Sequence, residues 1–388
     1  MKEIRIDENG AGKRLDKFLG RVLAGAPKSL LYAQLRKKNI TLNARKAVGS
    51  EILTEGDRVQ CFFSDETWEK FLHPGLKSDP GSDRLSDEAA ACYRKHPEIR
   101  ILHEDEDLLI AEKPAGLLTQ RAKPGDESLN DWLIGYLLHN DRTDPASLAV
   151  FRPSAAHRLD RNTGGIVIMT LSLKAAQVIA ALLREHRVGK YYLAVLHGRL
   201  REPMRMRSLH DKEERKNLVR IRDLKTVTEE DIRSGDPEAI QDWDQTGADD
   251  DRSDPAMTVF APVSRDPATD TTLVLAGLRT GKAHQLRAQF AALGHPIVGD
   301  PKYGGSRTSA DDKKYHTSGQ LLHAAYLYFP DGLTDLPGVS GKAFYSDPMK
   351  RGDGREEADG WRFFADRYAV NEEKIRETIR NHEEVMRL

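Results

Sequence analysis

Apolar positions recur with two periods along the chain. In "RLDKFLGRVL", Leu15, Phe18, Leu19 and Val22 fall at helical spacing with Arg14, Lys17 and Arg21 opposite them. Pro27 and Ser29 mark a second helix start, and "LLYAQLRKKN" carries it to a basic C-terminal end. "ITLNA" and "DRVQCFF" then read as strands, joined through the Gly56-Asp57 turn signal. Residues 13–63 thus predict a small helix-and-strand module.

The next stretch, 74–97, is rich in turn formers and has no steady period, which predicts a linker with one short helix. A second domain begins after it. "IRILHEDEDLLIAEKPAG" gives two strands around an acidic turn, and "SLNDWLIGYLL" a helix. Ile166 to Met169 form a continuous apolar run, as in a strand covered on both faces. "SLKAAQVIAALLREHRV" is a striped helix, "KYYLAVLHG", "MTVFAPV" and "TTLVLAGL" are strands, and "KAHQLRAQFAALG" is a helix. Between these, Glu229 to Asp254 holds eleven acids and two arginines, which predicts a solvated insertion. From Lys342 the chain is polar and ends in a predicted surface helix. The expected domains are 1–73, a linker 74–97, a main domain 98–341 and an extension 342–388.

At 388 residues, two domains are the natural expectation. Lys and Arg number 60 against 61 Asp and Glu, a formal net charge of -1, so nucleic-acid binding requires segregated charge. The segregation lies in Lys13 to Lys46: ten basic residues (Lys13, Arg14, Lys17, Arg21, Lys28, Arg36, Lys37, Lys38, Arg45 and Lys46) against one acid, Asp16. A phosphate-backbone partner follows. The two cysteines, Cys61 and Cys92, have no metal-ligand spacing, which argues against a zinc site or disulfide framework and fits a reducing cytosol. The N-terminus lacks a signal-peptide apolar core, and no apolar run approaches the roughly 20 residues that span a bilayer.

The chemistry gathers in loops. "AAHRLDRNTGGIVIM" sets Asp160 between Arg158 and Arg161 just before the buried run. Arg279, Lys282 and Arg287 belong to a second basic stretch that can reach it in space. An aspartate facing an arginine stays ionised and suits a nucleophile or base, but composition alone reads equally as a structural ion pair. Strand alternation puts Tyr191 and Tyr192 on opposite faces, so only one of them belongs to a site. His157, His284, His295 and His323 lack zinc spacing and read as hydrogen-bonded structural histidines.

"HRLDRNTGG", "KYYLAVLHG" and "RTGKAHQLRAQFAALGHPIVGDPKYG", with "EKPAGLL" upstream and "LLHAAYLYF" downstream, resemble the RluA-type pseudouridine synthases. "RLDKFL...LRKKNITLNARK...GDRV" is similar to the alpha-L RNA-binding domain shared with a ribosomal small-subunit protein. The resemblance implies an α+β fold: a catalytic domain on a mixed, mostly antiparallel sheet with a small N-terminal α/β RNA-binding domain. It implies that Asp160 is the catalytic aspartate, that Arg287 salt-bridges it, and that Tyr192 stacks on the target base. Arg158 then takes the place of a flipped nucleotide. Arg161, Lys113, Lys190, Arg279, Lys282 and His284 are the further substrate-binding candidates. Arg14, Lys28, Arg36, Lys37, Lys38 and Asn43 are the RNA-binding candidates of the N-terminal domain.

The implied reaction is uridine isomerisation in RNA: the glycosidic bond to nitrogen breaks, the uracil turns, and a bond to carbon 5 forms. Asp160 either attacks the anomeric carbon or the uracil, or removes a ribose proton to give a glycal. No cofactor or metal is implied. The expected partner is RNA, 23S ribosomal RNA or a ribosomal precursor, met by a cytoplasmic monomer without membrane association. The alternatives are a non-catalytic RNA-binding or ribosome-assembly protein, and the same chemistry on tRNA. Two departures stand out. Lys282 replaces the usual arginine after T-G, keeping charge but losing a planar fork, and Asn43-Ala44 replaces an Asn-Gly turn.

Overall fold

A computed structural model describes residues 2–7, 10–23, 26–64, 67, 68, 71, 80–213, 218–234, 255–349 and 360–387. In the N-terminal part, strands β1 (Lys2–Arg5), β2 (Ile40–Leu42), β3 (Arg45–Lys46) and β4 (Arg58–Cys61) form an antiparallel sheet in the order β1-β4-β2-β3. The helices Leu15–Val22 and Lys28–Arg36 bury the residues of the predicted stripe, Leu15, Phe18, Leu19 and Val22, with Leu31 and Leu35, against Ile40, Val59 and Cys61. The tight hairpin is not at Gly56-Asp57 but at Asn43-Ala44, which turn β2 directly into β3 with φ of 50° and 60°. Both turn residues are left-handed, the geometry whose twist matches paired strands.

The second part is built on β5 (Ile101–Glu104), β6 (Leu108–Lys113), β7 (Ser154–Ala155), β8 (Gly164–Thr170), β9 (Gly189–His197), β10 (Met204–Glu213), β11 (Leu218–Thr228), β12 (Ala256–Asp266), β13 (Thr271–Leu278), β14 (Leu322–Tyr328) and β15 (Ala343–Tyr345). Among the described residues they form one sheet, β11-β10-β12-β13-β9-β14-β8-β6-β5, with β7 on β8 and β15 on β14. Every pairing is antiparallel except β14 with β8. That parallel junction needs Gly165, whose φ is +112° and whose missing Cβ would stand 2.3 Å from the Ala324 carbonyl oxygen.

Alternation along the central strands divides the core. Tyr192, Ala194, Leu196, Val167 and Met169 face one side, under the helices Leu129–His139 and Gln285–Ala292. Tyr191, Leu193 and Val195 face the other, as do Ile166 and Ile168 beneath the helix Leu173–Arg184. Both faces are covered, which explains the unbroken apolar run in β8.

Three expectations need correction. Pro80–Lys95, within the stretch read as a linker, is a 16-residue helix that buries Ala89 and Cys92 in the main core. It lies so close to the helix Leu129–His139 that a Cβ on Gly135 would stand 2.1 Å from the Ala89 carbonyl oxygen. The tail is not a surface element either: Trp361, Phe364, Ile375, Val385 and Met386 are buried against the sheet. Sparse apolar residues one helical turn apart suffice to dock a mostly charged helix. Finally, Glu229–Ser234, the start of the acidic stretch, is a helix whose Glu229 is buried between Arg233 and His382. Residues 235–254 lie outside the described residues.

Candidate active site

Asp160 sits in the loop before β8, whose glycines let the loop turn tightly against β14. Arg287 projects from the first turn of the helix Gln285–Ala292 across the mouth of the sheet. Its Nη1 donates to Asp160 Oδ2 at 2.8 Å, while Nε and Nη2 donate to the two oxygens of Asp300 at 2.7 and 2.8 Å. Side-chain exposure rises along the chain of charges, from none at Asp300 through 5% at Arg287 to 23% at Asp160, so the solvent-facing end is the Asp160 carboxylate. Its Oδ1 makes no hydrogen bond among the described residues.

Asp300 also accepts the backbone N–H groups of Lys302 and Tyr303 through Oδ1. The guanidinium of Arg287 lies 5.3 Å from the centre of the Tyr303 ring. Burial works against the Arg287 charge, but Asp300 and Asp160 more than offset it, and its pKa is raised. The buried Asp300–Arg287 fork therefore fixes where Arg287 presents Nη1 to Asp160.

Tyr192, buried on the same face, completes the wall of a small open cleft of about 60 Å³ that also includes Arg158, Asp160, Lys282, His284 and Arg287. Burial and then the Asp160 charge push the Tyr192 phenol up, so it keeps its proton. Tyr191 points to the opposite face, where its hydroxyl donates to the Met386 carbonyl at 3.0 Å. Thus the fold gathers Asp160, Arg287, Tyr192, Arg158, Lys282 and His284.

The remaining candidates lie apart. Lys113 is buried, and its Nζ donates to the carbonyl oxygens of Pro114, Leu117 and Arg161 at 2.8, 2.7 and 3.1 Å. Burial pushes its pKa down to about 7, while three carbonyls match the three donors of the ammonium form. It braces the Asp160 loop from below rather than meeting a ligand. Arg161 points outward, 4.0 Å from Asp126. Lys190 shares the Tyr192 side of β9 by alternation and Arg279 follows β13, but neither lines the cleft.

In the N-terminal part Arg36, Lys37 and Lys38 form an exposed basic cluster at the end of the second helix. Lys28 is exposed beside Asp16 and Tyr32, whereas Arg14 is tied to Asp16 at 3.1 Å. Asn43 is braced: its amide donates to Asp57 and its oxygen accepts the Arg58 N–H, both at 2.8 Å. Two other basic residues are spent on the second domain, Lys13 and Arg21 both donating to the Val150 carbonyl. Among the described residues no group of His, Cys, Asp and Glu could hold a metal, and no helix is long and apolar enough to cross a membrane.

Sequence reasoning missed Asp300 and Tyr303. The available signal was "PIVGD", an acid set directly behind a buried apolar run, where a carboxylate needs a buried partner.

Residues 107–292 match the RNA pseudouridylate synthase family. The chain is 30% identical over 332 residues to the ribosomal large subunit pseudouridine synthase C of Vibrio cholerae, covering 84% of this chain and 88% of that one. It is 28% identical to the synthase of the same name from Vibrio vulnificus, over 87% and 93% of the two chains. With the ribosomal large subunit pseudouridine synthase D of Nitrosomonas europaea it shares 26% identity, over 84% and 79%. On the strength of the 30% identity that spans most of both chains, the chain belongs to the RluA-type RNA pseudouridine synthases, which are isomerases.

Proposed function

We propose that this enzyme isomerises uridines of large-subunit (23S) ribosomal RNA, with Asp160 as the catalytic carboxylate. The observation that carries the reading is the Arg287–Asp160 pair at the mouth of a cleft walled by Tyr192. The free Oδ1 is the reacting oxygen, and the Arg287 donor fixes the other. Tyr192 stacks on the uracil and moves a proton late in the reaction. Arg158, exposed at the cleft rim, fills the gap left by the flipped nucleotide, and Lys282 holds a flanking phosphate. The exposed Arg36, Lys37 and Lys38 cluster extends the footprint along the RNA backbone. One chain supplies Asp160, Tyr192 and Arg287, so the site is complete without a second copy. The names of the relatives favour ribosomal RNA over tRNA.

Pseudouridine mapping across all RNA of a deletion strain, complemented with wild type or Asp160→Asn, tests the reading. Loss of a 23S site restored only by wild type is expected. Loss confined to tRNA would move the same chemistry to another substrate, and no loss would leave a non-catalytic RNA-binding protein.

A further inference from the structure

The Tyr303 hydroxyl joins two parts of the molecule that the reaction chemistry does not otherwise connect. It accepts the backbone N–H of Val219, on the β10–β11 hairpin, at 2.9 Å, and lies 3.0 Å from His284 Nδ1. Among the described residues no other hydrogen-bond acceptor is in reach of this hydroxyl. Val219 occupies one lone pair of the oxygen, and among the described residues the acceptor within reach of the Tyr303 O–H is His284 Nδ1. The imidazole proton then sits on Nε2, which makes no hydrogen bond among the described residues.

The surroundings agree. Burial raises the Tyr303 pKa, keeping the phenol protonated, and burial lowers that of His284, keeping the imidazole neutral. The charged groups facing His284 are Asp160, Arg287, Lys302 and Asp300. His284 lines the cleft with Asp160 and sits at φ of 52°, a left-handed backbone that histidine tolerates better than most residues.

We infer that Tyr303 is a positioning residue that locks His284 in its Nε2–H form, so that a neutral donor beside Asp160 meets a carbonyl oxygen of the target uracil. The same hydroxyl ties this state to the β10–β11 hairpin. The inference about uracil rests on the proposed function; the tautomer does not.

Tyr303→Phe isolates the hydroxyl, because the ring over Arg287 and the backbone N–H to Asp300 remain. In nitrogen-15 spectra of histidine-labelled enzyme without RNA, His284 should show a pure Nε2–H tautomer in wild type and a mixture in Tyr303→Phe. Single-turnover isomerisation should fall about tenfold in Tyr303→Phe, a loss of one hydrogen bond's worth of orientation. In a His284→Asn background, where asparagine tolerates the left-handed backbone, Tyr303→Phe should cost nothing further. An Nδ1–H tautomer in wild type, or losses that multiply in the double variant, would overturn the inference. Inactivity of wild type on ribosomal RNA would sink the substrate reading while leaving the tautomer result standing.

Discussion

Arg287 reaches Asp160 through Nη1 alone because its Nε and Nη2 are both turned to Asp300. The pair is thus asymmetric: the arginine is anchored in the core, and the aspartate is presented to solvent with one oxygen unoccupied.

Asp160→Asn keeps an oxygen for Arg287 and removes only the charge. Isomerisation should be abolished while RNA affinity stays near that of wild type, as read by single-turnover conversion and filter binding. Comparable conversion by the variant would make Asp160 a brace.

Asp300→Ala leaves the Arg287 guanidinium buried with one partner. Removing one side of a buried charge pair should lower stability by about 3 kcal/mol in chemical denaturation and cut turnover as well. A variant as stable as wild type would mean that water or another side chain replaces Asp300.

The adjacent tyrosines should separate cleanly. Tyr191→Phe loses the bond to the Met386 carbonyl, a cost of about 1 kcal/mol, with turnover preserved. Tyr192→Phe keeps the ring but should slow or stop release of finished product. If Tyr191→Phe were the inactive one in the same single-turnover assay, the roles assigned to the two faces of β9 would be reversed.

Acid should loosen the main domain through two histidines. Burial pushes His157 and His323 down to about 3, and His157 Nε2 accepts the Ile168 N–H. With folded pKa values below the unfolded value, the unfolded chain binds more protons between about pH 6.5 and 3, so stability is full above that window and is lost as pH falls through it. Each histidine contributes a slope of at most about 1.4 kcal/mol per pH unit. His157→Gln, which can still accept from Ile168, should flatten the slope measured by denaturation; an unchanged slope would remove His157 from the account.

Substituting Arg36, Lys37 and Lys38 together by alanine should weaken binding to ribosomal RNA and reduce its salt slope by about 2 to 3, as fewer counterions are released. Conversion of a short saturating substrate should survive. An unchanged slope would assign that basic cluster to another partner.

Much of this protein is written locally. The stripe Leu15, Phe18, Leu19 and Val22, the apolar run Ile166 to Met169 and the alternation of Tyr191 with Tyr192 each report burial on their own, because side-chain direction follows from backbone period. The "HRLDRNTGG" and "KAHQLR" stretches carry Asp160 and Arg287 in recognisable form. Their meeting is another matter: 127 positions separate them, and only the packing of the helix Gln285–Ala292 against the sheet sets Nη1 at 2.8 Å from Oδ2. Tertiary structure alone likewise turned Lys113 from ligand to brace, recruited Asp300 and Tyr303, and drew the polar tail onto the core through Ile375, Val385 and Met386. Charge and polarity are properties of a residue, whereas burial and partnership belong to the place where the chain puts it.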